Sequence, residues 1–253
     1  MELTREQVMK IALRAGEILV ASGAEVVRTE GTIHRILASR GYDMVQAFVT
    51  PTVIMLTSDG KDSMSFMRNI KVRGSDLYRI ALVNDFSRYF VGHDMSFDEA
   101  TARLDEIATA HSYHPMVMAA GGAVGSSAFL LLIGGTPGDL IPCFLTAFLS
   151  VLLLFYIPSS APVLMHLVVG FLIGVMGYVL PWIGLGHDAN RIIIGAMLPF
   201  LPGVPFTNGV RDFMYGDLIS GTSRINESLI IIVALSFGAG LVVAVRSFMG
   251  GTL

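Results

Sequence analysis

Residues 115–138 and 140–187 contain no Asp, Glu, Lys or Arg. A helix needs about 20 consecutive apolar residues to cross a bilayer, and two uncharged runs of this size exceed what one small soluble core can bury. Residues 115–138 therefore read as a first span. The cluster Ile157-Pro158-Ser159-Ser160-Ala161-Pro162 divides the second run into spans two and three. A fourth begins near Arg191 and a fifth covers residues 228–245. Composition agrees: the chain is 53% hydrophobic and 15% charged, too apolar for a single soluble domain. Charge is also segregated. Residues 1–113 hold 13 of the 17 basic and 15 of the 20 acidic groups. The expected fold is an α-helical integral membrane protein with about five transmembrane helices, residues 114–253, preceded by a soluble α+β domain, residues 1–113.

The fourth span is the unusual one. Residues 192–201 form an apolar helical run of about 15 Å, half a bilayer. Pro199, Pro202, Gly203 and Pro205 then interrupt it. Backbone opened at that depth must be buried in protein or line a wet cavity, because lipid offers it no hydrogen bonds. Half-helices meeting near the midplane are a recurring transporter device. In this reading residues 202–205 unwind the chain, and Thr207 and Asn208 cap a second half-helix. Its free N–H groups and positive dipole end would hold a carboxylate. Arg211 and Asp212 follow one turn on, where charge is costly and usually functional. Arg211 is a candidate for a second carboxylate, Asp212 for an ammonium group or a coupled proton. The expected substrate-binding set is thus Gly203, Thr207, Asn208, Arg211 and Asp212, with Pro199, Pro202 and Pro205 as the structural break. The competing reading ends the helix at Gly203 and makes residues 206–217 a cytoplasmic amphipathic segment with a surface Arg211–Asp212 pair.

Periodicity resolves the first 113 residues into two helices, three antiparallel strands and two helices. Thr4 and Gln7 form a capping box ahead of an apolar face at Val8, Ile11, Ala15, Ile18 and Leu19. A second helix runs from Ala24 to Arg40. Strands follow at residues 44–49, 52–58 and 64–72, with Asp59-Gly60 as a two-residue hairpin turn. Helical period returns at Ser75, and Ser96 with Glu99 opens the last helix.

Several chemistries are absent. The spacing shows no catalytic or metal site and no cofactor motif: His93, His111 and His114 read as interfacial polar residues, Cys143 as inert packing, and Arg28 with Glu30 as a solvated ion pair. A net charge of −3 gives no reason to expect nucleic acid. Ser126, Ser127 and Thr146 offer hydroxyls either to a polar cavity or to packing, and Glu227 with Arg224 reads as helix-start charge. Gly121/Gly125, Gly170/Gly174 and Ser236/Gly240 have the four-residue spacing that lets membrane helices approach closely. The opening MELTREQVMK is charged and amphipathic rather than an export signal, so residues 1–113 are expected in the cytoplasm. The distribution of Arg103, Arg191, Arg211, Arg224 and Arg246 supports that orientation weakly.

The stretch PFLPGVPFTNGVRDFMYGDLISGTSR resembles the signature of the threonine/serine exporter family, in its N-terminal half. SGAEVVRTEGTIHRILASRGY at residues 22–42 and SFDEATARLDEIA at residues 96–108 resemble the family's early and last pre-membrane helices. The family occurs as one long chain or as two subunits. The resemblance therefore implies the larger subunit of a split bacterial exporter in the inner membrane, similar to the system linked to succinate export. It implies a second small integral membrane subunit as partner, besides lipid and a possible homo-oligomer. The cargo implied is threonine and serine or a dicarboxylate, moved by an ion gradient. Family residues carried over are Pro202, Gly203, Asn208, Arg211 and Asp212. The alternative function is a non-transporting membrane sensor or assembly protein with a ligand-binding cytosolic domain.

Overall fold

The computed structural model describes residues 3–59, 63–71, 74–110, 113–157 and 161–250. Gly60 of the hairpin turn, Val72 of the third strand, His111 and residues 158–160 of the interspan break lie outside the described residues. The chain divides into two compact units: Met1–Ser112 with Gly203–Asn226, and Tyr113–Pro202 with Glu227–Leu253.

In the first unit α1 (Arg5–Ala21) is the central helix. Thr4 accepts from the Gln7 N–H, and the Gln7 side chain takes the Thr4 N–H, closing the expected capping box. Val8, Ile11, Ala15 and Leu19 are fully buried beneath α2 (Val26–Ala38), α3 (Leu77–Gly92), α4 (Phe97–Thr109) and the sheet. Strands β1 (Val45–Val49), β2 (Val53–Ser58) and β3 (Met64–Asn69) pair antiparallel in sequence order. Ile54 and Leu56 of β2 point into the core, while Phe48, Met55 and Met67, directly opposite one another in register, form an exposed row. Two antiparallel helices join this unit through residues 203–226: α9 (Gly203–Met214) and the start of α10 (Leu218–Phe248). Sequence reasoning had given those residues to the membrane part.

The second unit holds α5 (Pro115–Leu132), α6 (Leu140–Tyr156), α7 (Pro162–Trp182), α8 (Ala189–Ala196) and the remainder of α10. Among the described residues, four helices are long and apolar enough to cross a membrane: α5, α6 with its preceding turn, α7 and α10. The interrupted pair formed by α8 with its 3-10 turn and α9 raises this to five if counted as one span. Asp139, fully buried, ties two loops together. Its carboxylate accepts from the Thr136 N–H and hydroxyl and from the N–H groups of His187 (2.6 Å) and Asp188 (3.1 Å).

The break differs in detail from its expected form. α-Helical geometry ends at Ala196, and a 3-10 turn, Leu198–Phe200, follows. Pro199 has no N–H to continue the ladder. Only Leu201 and Pro202 separate this turn from α9; Leu201 is extended (φ −70°, ψ 125°). Gly203, Val204 and Pro205 are not unwound. They form the first turn of α9, where proline is tolerated because early N–H groups lack helical partners anyway. α10 is one continuous helix of 31 residues, so the fifth expected span extends ten residues further towards the N-terminus.

The small-residue pairs also sort themselves. A Cβ on Gly170 of α7 would lie 2.0 Å from the Leu235 carbonyl oxygen of α10, and one on Gly238 of α10 would lie 2.1 Å from that of Leu167 on α7. Gly174 makes a third close approach, to Ala239 and Val242. Gly121, Gly125 and Gly240, expected at packing faces, would meet nothing within 4 Å, whereas Gly122 meets Pro199. Within the chain, the small-residue spacing thus serves close packing on α7, while Gly121, Gly125 and Gly240 face away from the other helices. Replacing Gly170 or Gly238 by Val is expected to destabilise the detergent-purified chain by at least about 1–3 kcal/mol, the usual cost of overpacking. Gly121→Ala and Gly125→Ala should leave its thermal melt unchanged. Equal losses at all four positions would contradict the close approach.

Candidate functional site

α9 and α10 form a tight hairpin. Gly216 turns the chain at φ +86°, a left-handed conformation open to glycine at little cost. Gly209 and Gly221 let the helices touch: a Cβ on either would sit 3.2 Å or 3.0 Å from the other's carbonyl oxygen. This closeness brings Asp212 of α9 against Arg224 of α10. Arg224 Nε lies 3.1 Å from Asp212 Oδ2, and the two side chains are 8% and 1% exposed. A buried carboxylate or guanidinium is strongly unfavourable alone, so the pair is an obligate one.

The hairpin grips a single turn of the first unit, the link between α1 and α2. Asn208, Arg211 and Asp212 share one face of α9, at the i, i+3, i+4 spacing. Asn208 Nδ2 donates to the Gly23 carbonyl (2.9 Å). Arg224 Nη2 donates to the Ala24 carbonyl (2.6 Å). Arg211 pairs with the Glu25 carboxylate, and Asp212 Oδ1 accepts from the Val26 N–H (3.4 Å). Four consecutive residues, 23 to 26, are thus each held by a different group. Gly23 fits only as glycine: its φ is +85°, and a Cβ would lie 2.7 Å from the Gly74 carbonyl oxygen.

Val26 is the first residue of α2, and the helix N-cap, Glu25, supplies no side-chain cap. The exposed N–H groups and positive dipole end of a helix attract an anion. Here the anion comes from a residue 186 positions away. Chemically the arrangement is a carboxylate site, built from a helix N-terminus and the Arg224 guanidinium, that holds the protein's own carboxylate. Arg211 and Glu25, partly exposed at 48% and 21% of their side chains, form the accessible rim.

The outward face of the hairpin is apolar. Phe206, Val210, Phe213, Met214, Leu218 and Ile219 are all exposed, while its ion pair points inward.

The expected site residues divide. Asn208, Arg211 and Asp212 come together; Gly203 and Thr207 do not join them. Thr207 is exposed, and its hydroxyl returns to the Gly203 carbonyl (2.8 Å). Neither Thr207 nor Asn208 caps a half-helix, because α9 already starts at Gly203. Pro199 packs on Gly122, Pro202 lies in the two-residue link and Pro205 in the first turn of α9. Nor is the Arg211–Asp212 pair a surface one: Arg211 is exposed and Asp212 buried, each with a different partner. Missed by sequence reasoning were Gly23, Glu25 and Arg224 as partners. Glu25 lies in the early motif SGAE, the only signal available for it.

Glu30, read as part of a solvated pair with Arg28, is half-buried. Burial, then the nearby Asp217, pushes its pKa up, against a hydrogen bond from the Val49 N–H. Among the described residues no three His, Cys, Asp or Glu side chains gather as metal ligands. His93 stacks on Tyr89, and His114 caps α5 by accepting from the Met116 N–H.

Two outcomes follow. Arg224→Ala strands the Asp212 carboxylate and should destabilise the chain by about 3–5 kcal/mol, whereas the double change Asp212→Asn with Arg224→Met should recover much of that loss in thermal melts. Equal destabilisation would show that the ion pair is not the determinant. For Glu30, the folded chain keeps the proton to a higher pH than the unfolded chain, so ionisation above about pH 4.5 costs stability. Glu30→Gln should therefore melt higher than the natural chain at pH 7, and the advantage should fade as pH falls to that value.

A family model described as "Putative threonine/serine exporter" matches residues 10–246. The "Probable threonine/serine exporter" of Mycobacterium tuberculosis is 23% identical over 247 residues, which is 94% of this chain and 46% of that protein. The chain thus spans about half the length of this curated relative. No solved structure matches it. With that match running from α1 to the last turns of α10, and including both stretches that build the carboxylate site, the chain belongs to the threonine/serine exporter family.

Proposed function

We propose that the chain is one subunit of a secondary exporter for small carboxylate-bearing metabolites, threonine and serine or a dicarboxylate such as succinate. It would sit in the inner membrane of a bacterium with residues 1–113 in the cytoplasm. A second small integral membrane subunit would complete it.

The observation that carries this reading is the Asp212 carboxylate held at the first N–H of α2 beside Arg224. A cargo carboxylate presents the same charge and the same acceptor geometry, so it can exchange with Asp212 at these donors. Displaced Asp212, with Glu25, is then free to receive an ammonium group or a proton. Arg211 on the exposed rim draws the anion in. Exchange of this kind couples cargo binding to release of the hairpin from the α1–α2 turn, a differential contact that can shift a two-state equilibrium.

Efflux decides the matter. Cells lacking the chain should retain labelled threonine or succinate, and the natural gene should restore export. Asp212→Asn should reduce rescue by at least tenfold. Arg211→Ala, which removes only a rim pair worth about 0–1 kcal/mol of stability, should lower export while leaving the melt unchanged. Full rescue by both variants would remove these residues from the mechanism. Full function from residues 1–113 alone would favour a non-transporting sensor instead.

A further inference from the structure

The inward face of α10 carries one hydroxyl that the closed hairpin leaves unused. Of the side chains at residues 218–226, only those of Ser220 and Arg224 are buried. Arg224 serves Asp212 and the Ala24 carbonyl. Ser220 is fully buried, and among the described residues its hydroxyl oxygen has no hydrogen-bond partner. A helix serine or threonine commonly returns its hydroxyl to a carbonyl one turn back. Thr207 does so on α9, and Ser220 does not.

Two contacts place Ser220 beside Asp212. Asp217, Ser220 and Arg224 follow one another at i, i+3 and i+7, on one strip of the helix. At one end of the strip the Asp217 N–H donates to the Asp212 carbonyl (2.9 Å). At the other, Arg224 Nε meets the Asp212 carboxylate at 3.1 Å. Ser220 stands between them, with its own N–H on Asp217 Oδ1 (3.4 Å). The facing helix is close at this level: a Cβ on Gly221 would lie 3.0 Å from the Gly209 carbonyl oxygen and 2.8 Å from the Phe213 ring. The Ser220 hydroxyl therefore borders the space that the Asp212 carboxylate fills.

Asp212 nevertheless does not use it. Its Oδ2 faces Arg224 as an ion pair but, among the described residues, accepts no hydrogen bond. A donor and an acceptor thus share one buried region without meeting, and each carries a desolvation cost. The cause is the tether. The carboxylate hangs from α9 by a single methylene, and its Oδ1 is committed to the Val26 N–H. A free carboxylate has no such restraint and can turn until every donor is met. Packing does not explain the serine either. Alanine would fill the position without an unpaired hydroxyl, as Ala234 and Ala239 do further along the same helix.

We propose that Ser220 is the third donor of the carboxylate site: when a cargo carboxylate replaces that of Asp212, the Ser220 hydroxyl donates to it beside the Val26 N–H and the Arg224 guanidinium. The inference rests on the exchange described for the exporter reading and supplies what drives it. The tethered carboxylate leaves one buried donor unpaired and the cargo does not, so the cargo is the better occupant of a site already filled by the protein itself.

The test is uptake of labelled threonine and succinate by inverted membrane vesicles holding the full chain with its native membrane neighbours. Ser220→Ala should raise KM by roughly tenfold, the worth of a hydrogen bond to a charged group, with the maximal rate held. The purified variant should melt no lower than the natural chain, because an unpaired hydroxyl has been removed. Ser126→Ala removes a buried hydroxyl that also lacks a partner among the described residues, but in the second unit, and should leave KM unchanged. An unchanged KM in Ser220→Ala overturns the role of Ser220 and leaves the exporter reading standing. A raised KM with a lowered melt assigns the serine to packing and overturns it too. If the natural chain takes up neither solute, the exporter reading falls, and melting of the purified full chain with each solute judges Ser220. A rise that Ser220→Ala loses supports it; no rise, or an equal rise in the variant, overturns it.

Discussion

The buried Asp212–Arg224 pair governs the architecture of the site. Two opposite charges removed from water must meet each other and find hydrogen bonds besides, and each does. Asp212 takes the Val26 N–H, and Arg224 takes the Ala24 carbonyl. Those obligations fix α9 and α10 against the turn between α1 and α2, and the glycines follow from them. Gly209 and Gly221 bring the hairpin's helices near enough for the pair, Gly216 reverses the chain, and Gly23 shapes the turn being held. Residues 203–226 consequently form one compact unit with residues 1–112.

Much of this was legible from local pattern. Period-two and period-3.6 alternation located every helix and strand of residues 1–110 to within a few positions, because most of them pack a face on α1, and β1 packs on α2. The uncharged runs located α5, α6 and α7, and the prolines located the interruption. What local pattern does not carry is long-range pairing. Asp212 and Arg224 are twelve residues apart across a turn, and Ala24 lies 200 residues from its partner. The stretches SGAEVV and NGVRD were each conspicuous, yet nothing in a single sequence says that they touch. Thr207 and Asn208 have the chemistry of caps, but helix starts are decided by where the backbone can first turn. Pro205, with its fixed φ and no N–H to satisfy, suits an α9 that starts at Gly203.

Polar groups in the second unit illustrate two opposite solutions to the same cost. Asp139 is buried and saturated, with four hydrogen bonds that join the α5–α6 loop to the α7–α8 loop. Asn190 and Asp188 close neighbouring contacts, to Tyr178 and Arg191. Such groups are scaffolding, and their removal would loosen loops. Ser126, Thr146 and Ser150 are equally buried but have no partners among the described residues. Identity alone could not separate them from Ser127, since all four are small alcohols in apolar helices; only the partners that the Ser127 oxygen finds do so.

The contact between α7 and α10 has a different implication. Where Gly170 and Gly238 meet carbonyl oxygens of the facing helix, main chain lies on main chain with no side chains between. Interfaces made of side chains accommodate sliding by exchanging rotamers, and at these two crossings there are none to exchange. The crossings therefore resist sliding of α7 past α10, a fixed post that leaves rearrangement of the apolar helices to α5, α6 and α8.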